Sequence, residues 1–96
     1  MKGNILVRIS DFLWVEGNAL HLQLGHGIEP HKAEEVFVIA PIFRRTKRGH
    51  YAAFGPTIGG RYLTIIFERK SKGVIRPITG WDMTKGETRY YRKKRK

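Results

Sequence analysis

The sequence contains no cysteine, which excludes disulfide staples and thiolate metal sites and fits a reducing cytosol. Serine is nearly missing too: only Ser10 and Ser71 occur, so a serine-nucleophile mechanism has no support. No apolar run approaches the roughly 20 residues of a membrane span. The apolar run ahead of Arg8 is too short for a signal peptide, so a cytoplasmic chain is expected. The four histidines are scattered without His-x-x-x-His spacing, which gives no metal-ligand cluster, and no cofactor is expected. Gly59-Gly60 is followed by no phosphate-binding lysine motif and reads as a turn. Acidic residues are the scarcest where they would matter most, in the second half of the chain.

Residues 1–43 carry three basic and five acidic side chains, whereas residues 44–96 carry sixteen basic and three acidic, namely Glu68, Asp82 and Glu87. The formal charge of +11 is therefore −2 followed by +13, and six of the positive charges fall in Arg89–Lys96. A half-chain of that density seeks a polyanion, and the abundant cellular polyanion is nucleic acid. The cationic candidates are Arg44, Arg45, Lys47 and Arg48 in one stretch, and Arg89, Arg92, Lys93, Lys94, Arg95 and Lys96 in the other. A hydrophobic content of 41% excludes a wholly disordered basic peptide. Ninety-six residues make a single domain, 1–96, with a basic tail over 89–96.

Asn4–Ile9 reads as a short strand or an extended arm. Asn18 caps a short helix running to about Leu24, where Gly25 and Gly27 stop it. Pro30 suits the first position of a second helix. Ala33, Val36, Phe37 and Ala40 recur at i, i+3, i+4 and i+7, with Glu34 and Glu35 pointing away, and Pro41 ends the helix. The period then changes from 3.6 to 2. Ile42–Thr46 and His50–Gly55 form a hairpin around Lys47-Arg48-Gly49, Pro56–Gly60 is a turn, and Tyr62–Glu68 is a strand. Arg69–Gly73 reads as a charged loop and Val74–Thr79 as a strand whose Pro77 requires an edge or a bulge. Thr84 and Glu87 have capping-box spacing, so a last helix runs into the tail. The expectation is an α+β domain: N-terminal helices, an antiparallel sheet of three or four strands, a C-terminal helix, and helices from both ends on one face.

Phe12-Leu-Trp-Val-Glu16, His26-Gly-Ile-Glu-Pro30, Ala33-Glu-Glu-Val-Phe37, Gly60-Arg-Tyr-Leu63, Ile75-Arg-Pro-Ile-Thr79, Asp82-Met-Thr84 and Glu87-Thr-Arg-Tyr-Tyr91 stand in the order seen in BrnT-type toxins. The chain resembles that family over nearly its whole length. These are small ribonuclease toxins of bacterial toxin–antitoxin pairs, with a fold similar to the RelE toxins. The resemblance implies an endoribonuclease acting on RNA in the cytoplasm, held inactive by a BrnA-like DNA-binding antitoxin through which oligomers form. Such sequences often carry two histidines four residues apart ahead of the Gly-Ile. Here His21 and His26 are five apart with Gly25 between, and no role is carried over to them.

Metal-free RNA cleavage by the 2′-hydroxyl needs a base for its proton, cations for the charge growing on the phosphorane, and an acid for the leaving 5′-oxygen. The resemblance places active arginines at Arg61 and Arg76; pairing of the last two strands sets Arg76 opposite Ile66 or Phe67. Glu68 is either the base or an ion-pair partner of Arg69 or Arg76. His50, beside the Arg44–Arg48 stretch, is either a proton carrier or a solvated turn residue. His21 and His31 read as surface or partly buried groups, and His26 as packed at the helix turn. Tyr90 and Tyr91 protonate, stack or anchor the last helix, and Tyr91 is counted with the nucleic-acid set. Trp14 stacks a base or belongs to the core, as does Trp81. Composition alone favours a non-catalytic RNA- or ribosome-binding module, and the family strings favour the enzyme. A third use of the basic surface, compatible with the enzyme, is docking an acidic partner.

If the basic half grips phosphates, RNA affinity falls steeply with salt, because each neutralised phosphate releases condensed counterions. Deleting Arg92–Lys96 should weaken binding across all RNA sequences and flatten the salt slope. Titrations at several salt concentrations measure both, and an unchanged slope would mark the tail as a solvated end.

Overall fold

The computed structural model describes residues 9–47 and 49–95, so Asn4–Arg8, Arg48 and Lys96 lie outside the described residues. The order is β1 (Asp11–Phe12), α1 (Glu16–Leu20), a π-turn (His21–Gly25), α2 (Pro30–Ile39), β2 (Ile42–Arg45), β3 (His50–Pro56), β4 (Tyr62–Ser71), β5 (Val74–Asp82) and α3 (Lys85–Arg95). The sheet has five strands in the order β1-β5-β4-β3-β2. β1 runs parallel to β5, pairing Asp11 with Val74 and Phe12 with Ile75, so the sheet is mixed rather than purely antiparallel. Two residues of β1 give too short a pattern to be recognised as a strand. No described helix is long and apolar enough to cross a membrane.

Strand alternation splits the core in two. Ala53, Leu63, Ile65, Phe67 and Ile75 point to one face and bury Leu22, Ile28, Ala33, Val36 and Phe37 of the N-terminal helices. Ala52, Phe54 and Ile66 point to the other, where Tyr90 and Tyr91 of α3 cover them. The helices from the two ends of the chain thus sit on opposite faces, not on one. α3 opens with the expected capping box, Glu87 N–H donating to Thr84 Oγ1 at 3.1 Å and Thr84 N–H to Glu87 Oε1 at 3.0 Å.

The β4–β5 hairpin turns on Lys72-Gly73, with Gly73 at φ +78°, so Arg69–Ser71 belong to the strand. Ile66 pairs with Thr79 and Phe67 with Pro77, leaving Ile78 as an extra residue. This is the bulge Pro77 demanded, and β1 ends two residues before it. The register places Arg76 opposite Glu68 rather than Ile66 or Phe67.

Asn18 is not the cap of α1. Val15 holds that position, and Asn18, three residues on, accepts from Val15 N–H at 2.8 Å. Its amide donates to Pro77 O at 2.7 Å, fastening α1 to β5 beyond the end of β1. The helix then widens into the π-turn. Gly27, at φ +65°, closes it, with Gly27 N–H donating to Gln23 O and Ile28 N–H to Leu22 O at 2.9 Å. Leu22 seats on the sheet above Gly80, where an added Cβ would stand 2.7 Å from Ile65 Cδ1, 2.8 Å from Thr64 O and 3.3 Å from Leu22 Cδ2.

Gly80→Ala should therefore destabilise the fold by about 1–3 kcal/mol, the range of core overpacking. A thermal melt reads this as a drop of roughly 4–8 °C per kcal/mol for a domain of this size. Gly17→Ala, whose Cβ meets nothing within 4 Å, serves as the control and should not lower the midpoint.

Candidate active site and nucleic-acid interface

Three of the four sequence-predicted catalytic residues meet in one row across the sheet. His50 pairs with Glu68 and Glu68 with Arg76, on the face that carries α3. Arg76 Nε and Nη2 both reach Glu68 Oε2 at 2.6 Å, and Lys70 Nζ lies 3.8 Å from the same oxygen. The Arg76 hydrogen bond holds the Glu68 carboxyl below the usual carboxylate range, with the charges of Arg76, Lys70 and His50 adding to it. A carboxylate so stabilised is a weak base near neutrality. Glu68 orients Arg76, whose other three N–H groups have no partner among the described residues.

Arg61 lies elsewhere. It precedes β4 at the opposite end of the sheet and turns to the opposite face. Its Nε donates to Asp82 Oδ1 at 2.8 Å and Nη2 to Asp82 Oδ2 at 3.2 Å; Nη1 donates to Gly27 O at 2.8 Å and Nη2 to His26 O at 3.2 Å. Four of its five N–H groups are thereby engaged, so Arg61 clips the turn after the π-turn to the end of β5. Arg61 and Arg76 do not converge on one phosphate. The clip also brings a group that the sequence reading dispersed: His21 Nε2 stands 2.9 Å and His26 Nε2 3.5 Å from Thr79 Oγ1, with the two rings 5.2 Å apart. Gly25, the residue that widens their spacing, was the available signal.

The basic surface continues from the row onto α3. The Arg44 guanidinium lies 4.6 Å from the Tyr90 ring centre and 5.4 Å from that of Phe54, and Lys94 lies 5.7 Å from Tyr90. Arg89, Arg92, Lys93, Lys94 and Arg95 are exposed along the helix. Arg45 pairs with Tyr51 on the other face, and Lys47 is exposed in the β2–β3 turn. Tyr91 is buried and donates to Ala40 O at 2.8 Å, so it anchors α3 and leaves the nucleic-acid set; burial pushes its phenol above the ordinary range. Trp14 donates to Glu34 Oε2 at 2.7 Å and packs against the core of the opposite face, away from the row. Trp81 donates to Glu87 and is likewise structural. Among the described residues, no three His, Asp or Glu side chains converge as a metal-ligand set.

No family model and no curated protein sequence matches the chain. Among solved structures it is similar to the Brucella abortus ribonuclease toxin BrnT, with a TM-score of 0.66 over 78% of this chain and 97% of that one. The fold is BrnT-like. At 17% identity the likeness is one of fold.

Two carboxylates tie this frame electrostatically. The hydrogen bond from Arg61 lowers the Asp82 pKa as that from Arg76 lowers Glu68. Groups with lowered folded-state values stabilise the fold above the unfolded carboxylate range, near pH 4, and that contribution is lost as pH falls through the folded values. Glu68→Gln and Asp82→Asn should each be less stable than the parent at pH 7, with the gap closing below about pH 4. Denaturant titrations across pH check this, and a gap unchanged from pH 7 to pH 2 would contradict it.

Proposed function

We propose that this chain is the toxin of a toxin–antitoxin pair, an endoribonuclease that cleaves RNA through its 2′-hydroxyl without a metal and so halts translation and growth. The observation that carries the reading is Arg76: a guanidinium fixed from one side by Glu68, with three donors left over, on a basic face of a BrnT-like fold. Such a preorganised donor set suits the charge developing on a phosphorane. His50 lies beside Glu68 in the row, and Arg44, Lys70 and the α3 cations hold the flanking phosphates. Arg61 acts by positioning the His26–Gly27 turn rather than by touching phosphate.

The three acids of residues 44–96 are all engaged within the chain: Glu68 with Arg76, Asp82 with Arg61, and Glu87 with Trp81 and Thr64. None remains to shield the face, which supports a cognate BrnA-like antitoxin bringing its own carboxylates. A non-catalytic RNA-binding module is the second reading, favoured by the ionised, poorly basic state of Glu68.

Purified protein incubated with labelled RNA in EDTA separates the two. Discrete cleavage marks the enzyme, and retention without cleavage marks the binder. Arg76→Ala should lower the cleavage rate on the order of 10²–10³-fold while melting as a folded protein. Arg76→Lys should recover only part, since an ammonium cannot both hold Glu68 and present a fork. Parental cleavage by Arg76→Ala would remove the row from the chemistry.

A further inference from the structure

The row offers one histidine, whereas 2′-hydroxyl attack with departure of the 5′-oxygen requires both a proton acceptor and a proton donor. The cluster at the edge of β5 has both. In an α-helix of 3.6 residues per turn, side chains five apart diverge by about 140°. The π-turn, with its i→i+5 closure, returns them to one side, and π-turns of this kind recur at functional sites. His21 and His26 consequently both face Thr79 Oγ1, at 2.9 and 3.5 Å. A hydroxyl has one proton to donate. The arrangement is satisfied when Thr79 donates to one neutral ring and accepts N–H from the other.

The position also fits. The bulge at Ile78 puts Thr79 in register with Ile66, on the same face of the sheet as Arg76 and Glu68. Arg76 and Thr79 pair with Glu68 and Ile66, two residues apart on β4, so about 7 Å separates them along the strand at the ordinary rise. β1 pairs with Val74 and Ile75, and among the described residues no strand covers the β5 edge beside Thr79. His21 is exposed and His26 half-exposed. From the opposite side, Arg61 fixes the backbone of His26 and Gly27, with Asp82 locking the guanidinium.

We infer that His21 and His26, gathered by the π-turn and Thr79, are the acid–base pair of the cleavage reaction, acting on an RNA strand whose adjoining phosphate sits on Arg76. The inference rests on the ribonuclease reading above. The neutral imidazole takes the 2′-hydroxyl proton as that oxygen bonds to phosphorus. The bond from phosphorus to the 5′-oxygen breaks, and the protonated imidazole delivers its proton to that oxygen. The products are a 2′,3′-cyclic phosphate and a 5′-hydroxyl, with no net proton change. Thr79 is a positioning residue.

The test uses the full chain and a short RNA with a single cleavage site, comparing His21→Gln, His26→Gln and the double variant. Glutamine keeps a hydrogen bond to Thr79 but carries no titratable proton, and thermal melts confirm that each variant is folded. Each single variant should lose at least about 100-fold in rate. The double should be little worse than the singles, because the two act as a unit. The parent should show a bell-shaped pH profile, and each single variant should lose one limb. Thr79→Val should shift the limbs while retaining more activity than either glutamine variant. Folded glutamine variants that cut at the parental rate with a parental profile would overturn the pair alone and leave the ribonuclease reading standing on His50. A parent that binds the RNA but never cuts it would overturn the ribonuclease reading, and the pair with it.

Discussion

The Glu87 carboxylate accepts from the Thr64 hydroxyl at 2.9 Å, from the Trp81 indole at 3.0 Å and from the Thr84 amide at 3.0 Å, joining β4, β5 and the start of α3. An eleven-residue helix of this polarity would barely persist alone in water, so its tertiary anchors decide whether it exists. Glu87 supplies one anchor and the buried Tyr91 the other. The acid sits in the first turn and Arg92–Arg95 in the last, as the helix dipole prefers at each end. Through that placement α3 carries its cations to the rim of the sheet, where Arg44 and Lys94 meet over Tyr90. The basic surface is thus built from α3 and the rim of the sheet, which Glu87, Tyr90 and Tyr91 hold together.

The acidic side chains explain why that surface stays positive. Glu34 accepts from Trp14, and Glu35 accepts from the Ile58 amide at 2.9 Å. The outer helical face assigned to these two residues is therefore half-buried and used for docking the β1–α1 and β3–β4 connections. With Glu68, Asp82 and Glu87 also engaged, the negative charge serves to hold the fold in shape. The two ion pairs among these contacts, Glu68–Arg76 and Asp82–Arg61, are partly exposed and contribute modestly to stability. Their effect is geometric: each fixes an arginine or a backbone turn beside the cationic face.

Much of this was legible in the sequence because it follows from local rules. The change of period at Pro41, the helix start at Pro30, the Thr84–Glu87 capping box and the demand of Pro77 for a bulge are all set by residues within a few positions of one another. What was not legible depends on pairing across the sheet. Glu68-Arg69-Lys70 looks like a loop by charge, yet it continues the strand because Arg76 and Ile75 lie opposite Glu68 and Arg69. Moving the turn to Lys72-Gly73 shifted Arg76 from a hydrophobic partner to a carboxylate. Arg61 reads as a phosphate ligand until the carbonyls of His26 and Gly27, thirty-odd residues earlier in the chain, come within reach. The separation of the helices onto two faces has the same origin, since nothing local to Tyr90 or Tyr91 specifies which side of β3 they cover.

One extra residue in the helix and one in the strand act in concert. Without Ile78 as a bulge, Thr79 would alternate to the face opposite Arg76. Without the π-turn, His21 and His26 would point apart, and only one ring could reach the Thr79 hydroxyl. Each irregularity costs regular hydrogen bonding, and each is held by a specific contact: Asn18 to Pro77 O at the bulge, Leu22 against Gly80 beneath the π-turn. These contacts interlock, because Asn18 and Leu22 are on the same short helical segment and Pro77 and Gly80 are on the same strand. The segment seats on β5 in the register in which both histidines meet at Thr79, on the strand that also presents Arg76.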